Sequence, residues 1–170
     1  CKEGFCTRLQ GLSLKNVGIK VYKNGAKKPI FEDFGELLFT HFGISGPTVL
    51  TASMKMRDVK SAEYKVSIDL KPALTAEQLD ARILRDFSEN INRNFINALN
   101  SLLPKKLVPV IVRLSKIGLS TKVNQVTREQ RRALAELLKN LTVTVTDFRP
   151  VEEAIITSGG VDVSQINPKT

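Results

Sequence analysis

Between Leu12 and Tyr22 apolar and polar residues alternate in two short runs, the period of half-buried strands. Lys23-Asn24-Gly25 follows as a turn with a hairpin dipeptide. Lys28 to Phe34 and Glu36 to Thr40 continue as strands parted near Gly35, and Tyr64 to Leu70 alternates again. Between them, Pro47 after Ser45 or Gly46 opens a short helix running to about Met54. At Thr75 the period changes from two to that of a helix. Thr75 with Gln78 forms a capping box, and Leu79, Ile83, Leu84, Phe87 and Ile91 follow on one face. A second helix from Phe95 runs to Pro104, and a third spans Leu107 to Ile117 with Gly118 closing it. Thr127 with Gln130 opens a fourth. Strands return at Leu141 to Thr146 and at Glu153 to Thr157.

Strands, then helices, then strands predict an α+β protein in which a β-rich subdomain (9–73 plus 141–163) is interrupted by a helical-bundle subdomain (75–140). Residues 1–8 read as a polar tail, and 164–170 as the start of a link onward. With no Met at the start and no finished element at the end, the chain reads as an internal piece of a larger protein.

Composition narrows the class. Of 170 residues, 42% are apolar and 25% charged, as in globular proteins, and no run is long enough to span a bilayer. No secretory signal opens the chain, so a cytoplasmic origin is the simplest reading. Cys1 and Cys6, with one distant histidine, do not make a zinc site, and no other metal set appears. The net charge is +9, and Thr75 to Leu141 holds 12 basic against 6 acidic residues. Such an excess favours nucleic acid or a phosphorylated ligand, or is a solvated basic face.

Two stretches carry candidate chemistry. Gly35-Glu36-Leu37-Leu38-Phe39-Thr40-His41-Phe42-Gly43-Ile44-Ser45-Gly46-Pro47 is a strand, a glycine-bearing turn and a helix start. Free N–H groups at that helix terminus suit an anionic or electron-rich group. The bland reading is a strand-to-helix connection in which His41 is hydrogen-bonded structurally. Glu153 to Val161 runs a strand into Ser158-Gly159-Gly160, a common turn. No dinucleotide fingerprint, P-loop or nucleophile elbow is present, and no catalytic residue is assigned. Standing alone, the sequence does not look like an enzyme.

Together the two stretches resemble a known family. The thirteen-residue block is similar to the "GE-hydrophobic-LFTHxG-hydrophobic-SGP" signature of the BaiN/YhiN-like, or aminoacetone-oxidase, family of FAD-binding NAD(P) oxidoreductases. Ala154 to Val161 resembles its "A-x-V-T-x-GG-V" segment, and Leu9 to Leu14 the opening of its inserted region. The resemblance implies the insert of a split flavoprotein, with a β-barrel-like and a helical subdomain. It implies that Thr40, His41, Phe42 and Gly43, together with Thr157, Ser158, Gly159, Gly160 and Val161, face the isoalloxazine or the substrate. Gly46 and Pro47 would offer N–H groups there. FAD would be held by the FAD-binding domain of the same parent chain, not by this piece, with NAD(P)H as a possible second cofactor. The parent would be an oxidoreductase acting on a small molecule, the insert capping the flavin without catalysing alone, and a homo-oligomer stays open.

The alternative is a basic helical nucleic-acid-binding module built on Arg128, Arg131 and Arg132. Only Phe87 and Phe95 are aromatic in that block, both on apolar faces, which disfavours base stacking and makes nucleic acid the lesser expectation.

Overall fold

The computed structural model describes residues 1–57 and 59–154, with the side chain of Val151 set aside. Five antiparallel strands form one sheet in the order β3-β2-β1-β4-β5. These are β1 (Ser13–Lys23), β2 (Phe31–Thr40), β3 (Gly43–Ser45), β4 (Tyr64–Asp69) and β5 (Leu141–Val145). Helices are α1 (Phe5–Arg8), α2 (Pro47–Ser53), α3 (Ala76–Ser88), α4 (Phe95–Ala98), α5 (Val108–Ser115) and α6 (Arg128–Lys139). The α+β class is as expected from the sequence.

The two alternating runs before Tyr22 are one strand. Asn16 adopts φ 58° and makes a bulge between Leu14 and Val17, so the alternation breaks while pairing with β2 continues. Strand β2 likewise runs unbroken through Gly35, which pairs with Val17. The core side of the sheet carries Val17, Ile19, Val21, Leu37, Phe39, Tyr64, Val66, Ile68, Leu141 and Val143, all buried.

α3 to α6 occupy the interval between β4 and β5, yet those two strands pair directly, with Ile68 opposite Leu141. Both capping boxes form: Thr75 and Thr127 each accept the amide of the glutamine three residues on, at 3.2 Å. α3 buries Leu79, Ile83 and Phe87, and α6 buries Leu134, Ala135 and Leu138. Phe87 and Phe95 meet edge to face at 6.1 Å. Arg131 joins α6 to α3 through two hydrogen bonds to Asp80, at 2.6 and 3.1 Å. At the root of the helical unit, the Lys139 ammonium lies 2.6 Å from Asp69 and donates to the carbonyls of Lys71 and Leu74. The helices and the sheet share one hydrophobic core.

Four local expectations are corrected. The second helix is a four-residue turn followed by a 3₁₀ turn over Leu99–Ser101. α5 ends earlier than Gly118: Lys116 takes the left-handed conformation at φ 59°, and Ser115 Oγ accepts the amide of Ile117. Glu153 belongs to a 3₁₀ turn after Pro150 rather than to a strand. Residues 1–8 are not a loose tail. Cys6 and Leu9 are buried, the Lys2 amide donates to the Thr144 carbonyl at 3.0 Å, and Glu3 accepts the Thr144 amide at 2.8 Å. Polar neighbours hide these anchors in the sequence. The apolar positions Phe5, Cys6 and Leu9 tie the segment down.

Candidate functional site

The signature block forms more than a strand and a helix. Thr40 pairs with Gly43, so β2 turns through His41 and Phe42 into the short β3, a two-residue hairpin inserted before α2. Both turn residues are exposed, and their rings meet edge to face at 4.9 Å. The His41 imidazole makes no hydrogen bond to any described residue, so the structural bond of the bland reading is not found among them. Thr40 Oγ1 is the one buried side-chain oxygen or nitrogen without a partner among the described residues. A buried hydroxyl left unpaired costs about 1–3 kcal/mol, so its isolation needs a reason.

The two outer glycines of the block have a packing role. Gly46 caps α2 at φ 107°, and a Cβ there would sit 2.9 Å from the Glu36 carbonyl oxygen and 3.2 Å from Leu37 Cα. A Cβ at Gly35 would overlap Thr48 Oγ1. The start of α2 is thus pressed against the backbone of β2. Gly46 therefore lets the start of α2 lie against β2, while Pro47 beside it is exposed.

Beside the hairpin lies a cavity of about 790 Å³. One wall is Phe42, Ile44 and Ser45 with Val49, Leu50 and Met54 of the α2 region; the facing wall is Val145 to Pro150 with Glu153 and Ala154. The lining is largely apolar, the character of a small-molecule or cofactor pocket. At its edge the Arg149 guanidinium lies 4.9 Å from the centre of the Phe42 ring. The same guanidinium is held by Glu153 in a two-pronged pair, at 2.6 and 2.9 Å. Sequence reading missed Arg149 and Glu153, since nothing local marks a contact with a turn so distant along the chain.

Of the residues the sequence singled out, the structure therefore brings Phe42 to the cavity, places Thr40 and Gly43 at the neck of its hairpin, and leaves His41 outward. Thr157, Ser158, Gly159, Gly160 and Val161 lie outside the described residues. Cys1 lines the cavity, its amino group donating to the Phe42 carbonyl at 3.3 Å, whereas Cys6 is buried in the core, where burial, and then the charge of Glu3, push its thiol up to about 11. No group of metal-ligating side chains occurs among the described residues, and no helix there is long and apolar enough to cross a membrane.

A family model, the HI0933-like protein barrel and H2TH domain, matches residues 2–156. The chain is 26% identical to the 3-dehydro-bile acid delta(4,6)-reductase of Clostridium scindens, over 85% of this chain and 36% of that protein. It is 31% identical to the ribosomal RNA dihydrouridine synthase of Escherichia coli, over 79% and 32%, and 30% identical to that of Haemophilus influenzae, over 81% and 32%. The chain thus spans about a third of the length of the curated relatives it matches. The resemblance drawn from the thirteen-residue block is upheld by these matches. With the family model covering nearly the whole chain, the protein belongs to the HI0933-like family as its barrel and H2TH domain.

Proposed function

We propose that this chain is the insert of a FAD-dependent NAD(P) oxidoreductase, and that its hairpin cavity caps the flavin and shapes the substrate site. The observation that carries the reading is the cavity of about 790 Å³ between the signature hairpin and the segment 145–154 that leads toward Thr157 to Val161. The apolar wall suits the face of a flat ring, and the buried Thr40 hydroxyl, without a partner among the described residues, lies at the neck of the same hairpin. FAD, when bound by the FAD-binding domain of the same parent chain, supplies hydride acceptance and donation, with NAD(P)H as the donor.

The chain's own residues then have bounded tasks. Phe42 and Ile44 exclude water and offer an apolar face. Thr40 offers one hydroxyl, and His41, exposed at the hairpin tip against Phe42 and without a hydrogen bond among the described residues, is placed to reach a substrate heteroatom. Arg149, fixed by Glu153, holds a positive charge at the rim.

The test is the visible spectrum of the full-length protein beside that of this chain. A flavin spectrum in the full-length protein alone is expected. Thr40→Ala and His41→Ala in the full-length protein are expected to shift that spectrum or lower turnover, and no change in either would overturn the placement. The substrate in this reading is a small molecule.

A further inference from the structure

We infer that the open edge of β2, with the turn leading into it, binds the same edge of a second copy of the chain, the two segments running antiparallel about Ile30. The inference stands apart from the flavin reading and adds a partner to the domain.

The first observation is an unfinished sheet. β1 pairs with β2 from Phe31 to Leu38, but on its other side β2 meets β3 only from Leu38 to Thr40. Gly46 and Thr48, at the start of α2, press on Gly35 to Leu38. Phe31 to Phe34 are left without a strand on that side among the described residues. The Phe34 amide donates to the Asp33 carboxylate at 2.8 Å instead of to a strand. Ile30 is 40% exposed and Phe34 57% exposed. Large apolar side chains beside an open strand edge mark a contact surface.

The second observation is the order of charge. Lys27-Lys28-Pro29-Ile30-Phe31-Glu32-Asp33 runs from two cations through three uncharged residues to two anions. All four charged residues are exposed, and Lys27 and Lys28 have no carboxylate partner among the described residues. With two such segments antiparallel and Ile30 on the axis, Lys28 faces Glu32 of the partner subunit and Lys27 faces Asp33 of the partner subunit. The two-fold axis repeats both contacts, so every one of these charges meets its opposite. Sliding one copy by two residues sets each charge against an uncharged residue, and a parallel arrangement sets lysine on lysine. Lysine, proline and acid on an edge ordinarily discourage strand pairing. Here both signs occur in mirrored order, so the same residues penalise the wrong registers and admit one.

Backbone bonds play the smaller part. Pro29 has no amide, and the Ile30 amide is spent on the Val21 carbonyl at 2.8 Å. Glu32 holds Lys20 across the sheet at 2.9 Å, with a second carboxylate oxygen left for the partner. Charge therefore sets the register, while Ile30 and Phe34 supply apolar contact. An interface this small gives a weak, exchangeable dimer. From Ile30 to Thr40 the chain covers up to about 33 Å, so each hairpin cavity stays clear of the axis.

The test is sedimentation velocity of the 170-residue chain and of the full-length protein, from about 10 µM to about 1 mM. For both, a monomer–dimer equilibrium that weakens from about 50 to about 500 mM salt is expected. K27E/K28E and E32K/D33K should each weaken self-association about ten- to a hundred-fold. An equimolar mixture of the two variants should dimerise at least as well as the parent, because every facing pair is again of opposite sign. K27E/K28E breaks no ion pair among the described residues and keeps the proposal testable should the other variant melt early. A chain that stays monomeric at about 1 mM, variants that dimerise as the parent does, or a mixture that stays monomeric would overturn the proposal. So would a monomeric full-length protein beside a dimeric chain, since the rest of the parent would then cover this edge.

Discussion

Gly46→Ala separates a structural glycine from a ligand-facing one. The residue sits at φ 107° and ψ 164°, a region open in practice only to glycine. Holding alanine there costs about 1–3 kcal/mol in backbone strain. The added methyl also meets the Glu36 carbonyl oxygen at 2.9 Å, Leu37 Cα at 3.2 Å and the Leu38 nitrogen at 3.2 Å, all backbone atoms of a paired strand. Such an overlap has no flexible side chain to move aside and adds about 1–3 kcal/mol. The total, about 2–6 kcal/mol, should lower the melting temperature by roughly 5–20 °C for a chain of this length. Gly25→Ala is the control, with φ 70° and nothing within 4 Å of its Cβ position, and should lose only about 1–2 kcal/mol. Urea denaturation of the chain alone, without flavin, measures both. A Gly46→Ala variant within about 0.5 kcal/mol of the parent would refute the packing account and return Gly46 to the ligand.

Four further outcomes are expected. Asp80→Asn should lose about 1–3 kcal/mol at neutral pH in urea melts, because the hydrogen bonds from Arg131 hold this carboxyl below its ordinary 3.8. That contribution is present above pH 3.8 and is lost as pH falls through the lowered value, so parent and variant should converge in acid. A thiol reagent at mildly basic pH should label half-exposed Cys1 while Cys6 stays unreacted until unfolding. Because folding raises the Cys6 thiol from 9.0 to about 11, stability should decline as pH rises across that interval. Arg149→Ala in the full-length protein should alter substrate affinity or the flavin spectrum while shifting chain stability by no more than about 1 kcal/mol, since its pair with Glu153 is half exposed.

What the sequence disclosed was local. Thr75 with Gln78 and Thr127 with Gln130 announce helices because both partners of each box lie within one turn. Pro47 marks a helix start because a missing N–H is harmless there. β3 went unseen because three residues hold no period, and its presence makes Thr40-His41-Phe42-Gly43 a hairpin tip. The bulge at Asn16 split one strand into two apparent runs. In the site, the block around Phe42 was legible as a motif. Its partner Arg149 was not, since a cation over a ring is made by folding and leaves no spacing to count. Net charge was legible too, but which cations are free depended on where Asp80, Asp86 and Asp69 came to rest.

The direct pairing of β4 with β5 makes the whole helical unit the loop of a hairpin. Its two ends are already clamped, by the Leu70 amide on the Leu138 carbonyl at 2.9 Å and by Lys139 on Asp69. Closing such a loop grows dearer only with the logarithm of its length, about 0.6 kcal/mol per doubling. The sheet and its cavity can therefore keep their register while what hangs from the β4–β5 stem is lengthened, recharged or exchanged. A scaffold of that kind lets the sheet with its cavity and the helical unit each change without the other.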